Sequence, residues 1–152
     1  MEATFTVPGK PFGKQRPRVT MRKSRAGQAF ATAYTPKETV NYENLVKVSY
    51  VNQCRVKLNG PIEAKIIGVF PIPKATSKIK YNAMTVGDIH YVKKIDCDNM
   101  AKTVLDALNG IAYDDDSQIF RLSVEKRYGE NPRVIVRLRE EPDAYGAKEK
   151  LQ

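Results

Sequence analysis

The sequence has no tryptophan, a single histidine (His90) and only two cysteines, Cys54 and Cys97. One histidine argues against histidine-rich zinc sites and against a Ser-His-Asp catalytic triad. Two cysteines are too few for a disulfide framework, so we expect a reducing compartment such as the cytoplasm. The chain also lacks an apolar run of about 18 residues and a signal-like N-terminus, so neither a membrane span nor a secretory signal is predicted.

Acidic residues are comparatively scarce: Asp and Glu total 17 against 26 Lys and Arg, which gives a formal net charge of +9. A basic chain favours a polyanionic partner such as nucleic acid, although high charge can also serve solubility alone. The distribution favours nucleic acid, because residues 10–25 contain seven bases and no acid. A second basic group precedes the most acidic segment of the chain; it comprises Lys74, Lys78, Lys80, Lys93 and Lys94.

A length of 152 residues fits one domain, placed here at residues 1–140, with a polar C-terminal tail at 141–152. The predicted strands are 3–7, 19–21, 62–72, 118–128 and 133–139, the predicted helices are 35–53 and 96–109, and 29–34 is ambiguous. Residues 129–132 predict a hairpin between the last two strands, and residues 74–92 predict a mobile surface loop or insertion that carries His90. This order predicts an α+β fold in which one mixed β-sheet packs with two main helices.

The first predicted helix has a capping signal at its start. Thr35 is placed to cap it, Pro36 to occupy its first position and Glu38 to complete a capping box. Its apolar residues lie roughly on one side and are expected to face the core; they are Val40, Leu45, Val48 and Val51.

The most informative segment is residues 96–116, which hold six aspartates and only one base, Lys102. On the predicted helix, Asp98, Lys102 and Asp106 follow one another at four-residue spacing and form a polar stripe. The opposite helix face is apolar and predicts burial against the sheet. Asp106 is interpreted as a structural or supporting residue.

A convergence of carboxylates follows if the chain turns back after this helix. Asp96 and Asp98 stand at the helix start, and the loop at 114–116 supplies three further aspartates. A strand that returns along the helix would bring Asp116 towards the first pair. Such converging oxygen ligands suit Mg²⁺ or Mn²⁺, which can activate a water against a phosphodiester. Lys102 could then balance carboxylate charge or contact the scissile phosphate.

Each of these features also has an ordinary structural explanation. Asp96 or Asp98 can simply cap the helix, and Asp98 can pair with Lys102 on its surface. The acidic loop at 114–116 can be a solvated turn. What favours a metal site is the combination of an apolar-flanked Asp-x-Asp-Asn segment at 96–99 and a second acidic loop within one basic domain.

The same segment resembles the signature of the RusA family of Holliday junction resolvases. The matching residues are Ile-Asp-Cys-Asp-Asn-Met-Ala-Lys-Thr-Val-Leu-Asp-Ala-Leu-Asn-Gly at 95–110 and Tyr-Asp-Asp-Asp-Ser-Gln-Ile at 113–119. Three N-terminal motifs also resemble members of this family: Pro-Gly-Lys-Pro at 8–11, Lys-Gln-Arg-Pro-Arg at 14–18 and Tyr-Thr-Pro at 34–36.

The resemblance implies a homodimeric, Mg²⁺-dependent endodeoxyribonuclease of bacterial or phage origin, with no small-molecule cofactor and no membrane partner. Such an enzyme resolves four-way junctions by paired symmetric nicks, in DNA recombination and repair. Carried over residue by residue, the essential aspartates fall on Asp96, Asp98 and Asp116, and the essential lysine on Lys102. Asp115 matches the first Asp of an Asp-Asp-x-Gln motif and stays an alternative metal ligand.

Basic and aromatic side chains predict how DNA is held. The predicted DNA contacts are Lys14, Arg16, Arg18, Lys93 and Lys94. Phe12 and Tyr34 are candidates to stack on unpaired bases, whereas Phe30 is expected in the core. The rival interpretations are a non-catalytic module that binds branched nucleic acid and a basic structural protein of a phage particle.

Overall fold

The computed structural model describes residues 1–143, so residues 144–152 of the predicted tail lie outside the described part. The strands are β1 (Glu2–Pro8), β2 (Arg18–Lys23), β3 (Ala29–Tyr34), β4 (Ile62–Pro71), β5 (Ile119–Gly129) and β6 (Arg133–Glu140). The helices are α1 (Lys37–Gln53), α2 (Lys78–Val86) and α3 (Cys97–Ala107), and a 3₁₀ turn spans Asp116–Gln118. Within the described residues, no helix is both long and apolar enough to span a bilayer.

The central sheet is mixed and has the strand order β1-β6-β4-β5. Strand β6 pairs antiparallel with β1 and β4, whereas β4 and β5 run parallel. A parallel pair needs a crossover connection, and here the crossover carries α2 and α3. The predicted α+β fold with a mixed sheet is therefore confirmed.

The predicted hairpin between the last two strands is wrong. Strand β4 lies between β5 and β6 and bonds to both of them, so those two strands are not neighbours. The reason is burial: β4 is the most apolar strand and occupies an interior position in the sheet, with Ile62, Ile66 and Phe70 fully buried. Turn residues at 129–132 reverse the chain without pairing the strands on either side.

The core lies between one face of the sheet and helices α1 and α3. Ala3, Phe5 and Val7 of β1 point into it, because side chains alternate along a strand. The other face of the sheet carries charged pairs, such as Arg137 Nε donating to Glu2 Oε1 at 2.8 Å. Burial on one face leaves two layers, with α1 and α3 on a single side of the sheet.

Helix α1 begins without the capping box expected from its sequence. Its N-cap is Pro36, which has no side-chain hydrogen bond to the helix, and Thr35 lies outside. Glu38 does not reach back to the helix start. Its carboxylate instead accepts a hydrogen bond from Gln15 Nε2 at 2.8 Å, which ties the helix to the preceding segment.

Helix α1 also turns a different face to the core than the sequence predicts. The residues expected inside are exposed; they are Val40, Leu45, Val48 and Val51. The buried stripe is Tyr42, Val46 and Tyr50, spaced four residues apart. Two tyrosine rings bury more apolar area than valines do, and the Tyr50 hydroxyl is satisfied by donating to the Val56 carbonyl at 2.6 Å.

Helix α2 occupies part of the segment predicted as a loop. Ser77 caps it by accepting a hydrogen bond from the Lys80 backbone N–H, and Gly87 ends it at φ 87°. None of its residues is buried, so the helix lies on the surface and gives no strong apolar periodicity. His90 follows it and is exposed, as predicted.

Strands β2 and β3 form a two-stranded sheet of their own, apart from the main sheet. Gly27, at φ 81°, closes the turn between them. Residues 29–34 are thus a strand, and Phe30 lies on it with 47% of its surface exposed. The expectation that Phe30 belongs to the core is therefore wrong.

Candidate active site

Helix α3 presents an acidic and basic edge to solvent because its other face is locked to the sheet. Met100 and Val104 are fully buried beneath it. Gly68 of β4 permits this approach, since a Cβ at that position would lie 2.5 Å from Met100 Sδ. The exposed edge then carries Asp98 and Lys102 on successive turns.

Gln118 builds the acidic turn that follows α3. Its Oε1 accepts hydrogen bonds from the backbone N–H groups of Asp114 (2.9 Å) and Asp115 (3.2 Å). Its Nε2 donates to the carbonyls of Leu58 (3.1 Å) and Gly60 (3.2 Å). One side chain therefore fixes the turn to the loop that enters β4.

The two candidate aspartates of this turn have different surroundings. Asp115 is exposed and caps the 3₁₀ turn, and its hydrogen bond from Ser117 lowers the pKa of its carboxyl group. Asp116 is half-buried, and its backbone N–H donates to Asn109 Oδ1 at 2.9 Å. Burial raises the pKa of Asp116, and the negative charges of Asp115 and Asp106 raise it further.

Asp116 therefore lies beside Asp106, at the C-terminal end of α3. Asp106 is half-buried, and its carboxylate accepts a hydrogen bond from Lys14 Nζ at 3.2 Å. Lys14 also pairs with Glu43 of α1 at 3.6 Å. Burial works to lower the pKa of Lys14, but its bond to Asp106 and the charges of Asp106 and Glu43 outweigh this and raise it.

The other predicted aspartates stand at the N-terminal end of α3. Asp96 is the N-cap residue and Asp98 lies in the first turn, both exposed. Beside Asp96 is an open hollow of about 260 Å³, lined also by Gly13, Lys94 and Asn99. Gly13 has no room for a side chain, because a Cβ would collide with Ile95 and lie 2.8 Å from Asn99 Nδ2.

The structure does not bring Asp96, Asp98 and Asp116 together as expected. Within residues 1–143, no group of three or more acidic, histidine or cysteine side chains is arranged to hold a metal ion. Asp98 and Asp106 are about 12 Å apart along the helix axis, at 1.5 Å per residue. Asp116 therefore sits with Asp106, about two helical turns from Asp98.

The returning strand explains this separation. Strand β5 does run back along α3, but it starts only after Asp116, which Asn109 holds at the far end. The residue that reaches the N-terminal end is Lys126, whose Nζ donates to the carbonyls of Lys93 and Ile95, each at 2.9 Å. Strand β5 therefore places a basic residue, Lys126, near Asp96 instead of a third acidic residue.

Two comparisons with known proteins bear on this arrangement. The family model described as Endodeoxyribonuclease RusA matches residues 8–139. The chain belongs to the RusA family. A relative from Bacillus subtilis (strain 168), described as "Uncharacterized protein YqaN", is 34% identical over 139 residues, which cover 90% of this chain and 94% of the relative.

Membership in the RusA family places this chain among endodeoxyribonucleases of the Holliday junction resolvase type, which are hydrolases that act on branched DNA. The structure then shows how the motif residues of this chain serve the fold. Gln118 of the Asp-Asp-x-Gln motif holds the acidic turn, and Asp106 of the Asp-Ala-Leu motif bonds to Lys14.

The predicted DNA contacts fall into two groups in this RusA-family chain. Arg16, Arg18, Lys93 and Lys94 are exposed. Lys14 is different, because its ammonium group bonds to Asp106 within the protein. Of the two aromatic candidates, Tyr34 is 47% exposed, whereas Phe12 packs against Tyr42 at a ring distance of 5.2 Å.

Sequence reasoning missed Asn109 and underrated Asp106. The sequence pattern shows Asn109 only as the end of a helix that Gly110 closes. Nothing in that pattern indicates that Asn109 accepts a hydrogen bond from the Asp116 backbone. Asp106 carried a signal, because it stands on the same stripe as Asp98 and Lys102. Its contacts with Lys14 and Asp116 depend on tertiary packing that spacing alone does not give.

Proposed function

We propose that this chain resolves Holliday junctions by paired symmetric nicks, with Mg²⁺ as cofactor and Mn²⁺ as a substitute. The observation that supports it most is the half-buried Asp116 held beside Asp106 in a basic chain. Neighbouring carboxylates repel each other, and a divalent cation relieves that repulsion. The process served is DNA recombination and repair.

A site with two adjacent carboxylates fits Mg²⁺. This ion keeps several waters and is usually held by one or two carboxylates together with substrate phosphates. Asp116 and Asp106 would hold it against the DNA, and when bound it would supply a polarised water as nucleophile. Asp96 and Asp98 remain proposed ligands through the family resemblance, at the opposite end of α3.

The chain's own residues have separate proposed roles. Asp116, rather than Asp115, is the proposed ligand of the acidic turn, because the Asp115 carboxylate is engaged in capping. Lys102 is exposed between the two ends of α3 and would stabilise charge that develops on the phosphate. Lys14 would position Asp106, and Arg16, Arg18, Lys93 and Lys94 would bind phosphates.

We further propose a homodimer. A four-way junction has near two-fold symmetry, and two opposed nicks require two acidic sites in a symmetric relation. One chain places its acidic turn at one position only, so a second copy would supply the second cut. The relative from Bacillus subtilis supports a bacterial or phage origin, and a DNA substrate would place the activity in the bacterial cytoplasm.

The test pairs a gel-shift assay with a nicking assay on one four-way junction, with Mg²⁺ or with EDTA. The wild type should bind in both conditions and nick only with the metal. Asp98→Asn should lose nicking by at least about 100-fold while it binds as well or better, because less negative charge faces the phosphates. Asp114→Asn is a matched control, because Asp114 is exposed and pairs with Lys57 at 2.6 Å.

Two outcomes would contradict the proposal. Nicking by Asp98→Asn at the wild-type rate would exclude Asp98 from the chemistry. A wild type that binds junctions without nicking them in Mg²⁺ or Mn²⁺ would be a non-catalytic binding module.

A further inference from the structure

The sheet formed by β2 and β3 is a ribbon that the main body does not cover. We call it the ribbon and define it as residues 18–34. All its strand residues are exposed except Thr32, which is half-buried. A two-stranded hairpin is marginal in water on its own, so an exposed ribbon of this kind is suited to a partner that completes its burial.

The register of the ribbon separates its side chains into two unlike faces. Arg18 pairs with Tyr34, Thr20 with Thr32, and Arg22 with Phe30. Cross-strand partners share a face, so these six residues lie on one side, which we call the arginine face. The opposite side, the alanine face, carries Val19, Met21, Lys23, Ala29, Ala31 and Ala33.

The arginine face combines charge, hydroxyl groups and aromatic rings. The whole ribbon contains four bases and no acid. Thr20, Arg22, Thr32 and Tyr34 line a hollow of about 320 Å³ on this face. Tyr34 and Phe30 each keep 47% of their surface exposed. Guanidinium groups, hydroxyl donors and exposed rings side by side are the chemistry that recognises nucleic acid.

The dimensions of the ribbon favour a duplex groove. Each strand has six residues and is about 20 Å long at 3.3 Å per residue. A major groove of B-DNA is about 12 Å wide and admits a two-stranded β-ribbon. In such a groove the arginines face base edges and the flanking phosphates, and the rings contact thymine methyls or sugars.

The chain connects the ribbon directly to the acidic site. Lys14 is bonded to Asp106, and Arg18 opens the ribbon only four residues later, at most about 14 Å along an extended chain. DNA held on the arginine face would therefore lie within reach of Asp116. The alanine face has one base and carries no comparable set of polar groups.

We infer that the arginine face of the ribbon is a duplex-binding surface that grips one double-stranded arm of the branched DNA beside the acidic site. This inference rests on the proposed action on branched DNA and goes beyond it. It assigns Arg22, Thr20, Thr32 and Phe30, none of which the nuclease motifs include. It also names what the ribbon binds, which is the groove of one double-stranded arm.

Two neighbouring basic residues on opposite faces of the ribbon provide a matched test. Arg22→Ala and Lys23→Ala each remove one positive charge from β2, but only Arg22 lies on the arginine face. Affinity of the full-length chain for a four-way junction and for a linear duplex is measured by fluorescence anisotropy in EDTA at several salt concentrations. Arg22→Ala should weaken binding to both DNAs about 5-fold or more and lower the salt slope by about one, while Lys23→Ala changes affinity less than about 2-fold.

A second pair of variants tests the same faces without changing charge. Tyr34→Ala should weaken duplex binding about 5-fold or more, whereas Val19→Ala on the alanine face should not. The ribbon lies outside the core, so circular dichroism should show an unchanged main body in all four variants. Equal losses from both faces would overturn the inference, because the ribbon would then act only as diffuse charge.

The nicking assay separates this inference from the proposed function. If the wild type nicks junctions in Mg²⁺ but Arg22→Ala binds like Lys23→Ala, the nuclease stands and the ribbon assignment fails. If Arg22→Ala loses binding but the wild type never nicks, the ribbon assignment stands and the nuclease proposal fails.

Discussion

At the residue scale, the site depends on holding two acids, Asp106 and Asp116, close together. Asn109 anchors the backbone of Asp116, and Lys14 holds Asp106 from the other side. The buried Tyr113 donates its hydroxyl to the Leu105 carbonyl at 2.7 Å and so fixes the end of α3. The contact between Lys14 and Asp106 joins residues 92 positions apart, so sequence spacing alone did not predict it.

Removal of one of these charges should stabilise the metal-free protein. Asp116→Asn keeps the backbone bond to Asn109 and removes repulsion with Asp106, so the free energy of unfolding should rise by on the order of 1 kcal/mol. Thermal unfolding in EDTA checks this. The exposed control Asp114→Asn should stay level or lose slightly, because its pair with Lys57 disappears.

In Mg²⁺ the wild type should become more stable than Asp116→Asn, the reverse of the order expected in EDTA. The wild type should gain melting temperature on addition of Mg²⁺, since a ligand that binds only the folded state stabilises it. Asp116→Asn should gain much less. A metal response of the same size in both proteins would show that Asp116 is not part of the ion's site.

At the element scale, α3 was predictable from its helical periodicity and β4 from its apolar content, and both have clear ends. Gly110 at φ 77° follows α3, and Pro61 precedes β4. The failures have physical causes of a different kind. Tertiary packing selected the tyrosine stripe of α1 over its valines, and β4 entered between two strands that looked like a hairpin.

The acidic turn gives an element-scale prediction. Gln118→Ala removes two accepted and two donated hydrogen bonds and leaves the N–H groups of Asp114 and Asp115 without that acceptor. The free energy of unfolding should fall by about 2–3 kcal/mol, and nicking should fall with it. Urea unfolding measures the loss.

A comparison variant makes this result interpretable. Gln28→Ala changes an exposed side chain in the turn of the ribbon and should alter stability by less than about 0.5 kcal/mol. If Gln118→Ala were equally mild, the turn would owe its shape to other contacts, and the role given to the Asp-Asp-x-Gln glutamine would be wrong.

At the scale of the whole molecule, the family and the α+β fold were recognisable from the sequence, whereas the layout of the acids was not. The motifs name which residues matter, but α3 acts as a spacer that keeps Asp98 and Asp116 at different ends. The second strand of the ribbon, at residues 29–34, was ambiguous for a related reason. Strand prediction relies on apolar residues that alternate with polar ones. This strand lacks that alternation, because neither of its faces packs on the core.

The proposed dimer makes a prediction about pairs of cuts. Sedimentation should give twice the chain mass, and a heterodimer of wild-type and Asp116→Asn subunits should leave junctions with one nick instead of two. This follows because each chain would supply one acidic site. If the heterodimer gave the same ratio of doubly to singly nicked junctions as the wild type, one subunit would be able to make both cuts.

The most direct test of the central claim is single-turnover nicking of a four-way junction in Mg²⁺ by Asp116→Asn and Asp114→Asn. The two variants make the same chemical change in one turn, but only Asp116 lies beside Asp106. We predict a loss of at least about 100-fold for Asp116→Asn, equal to about 2.7 kcal/mol of transition-state stabilisation, and a near-normal rate for Asp114→Asn. Equal rates for the two variants would contradict the assignment of the acidic site to this end of α3.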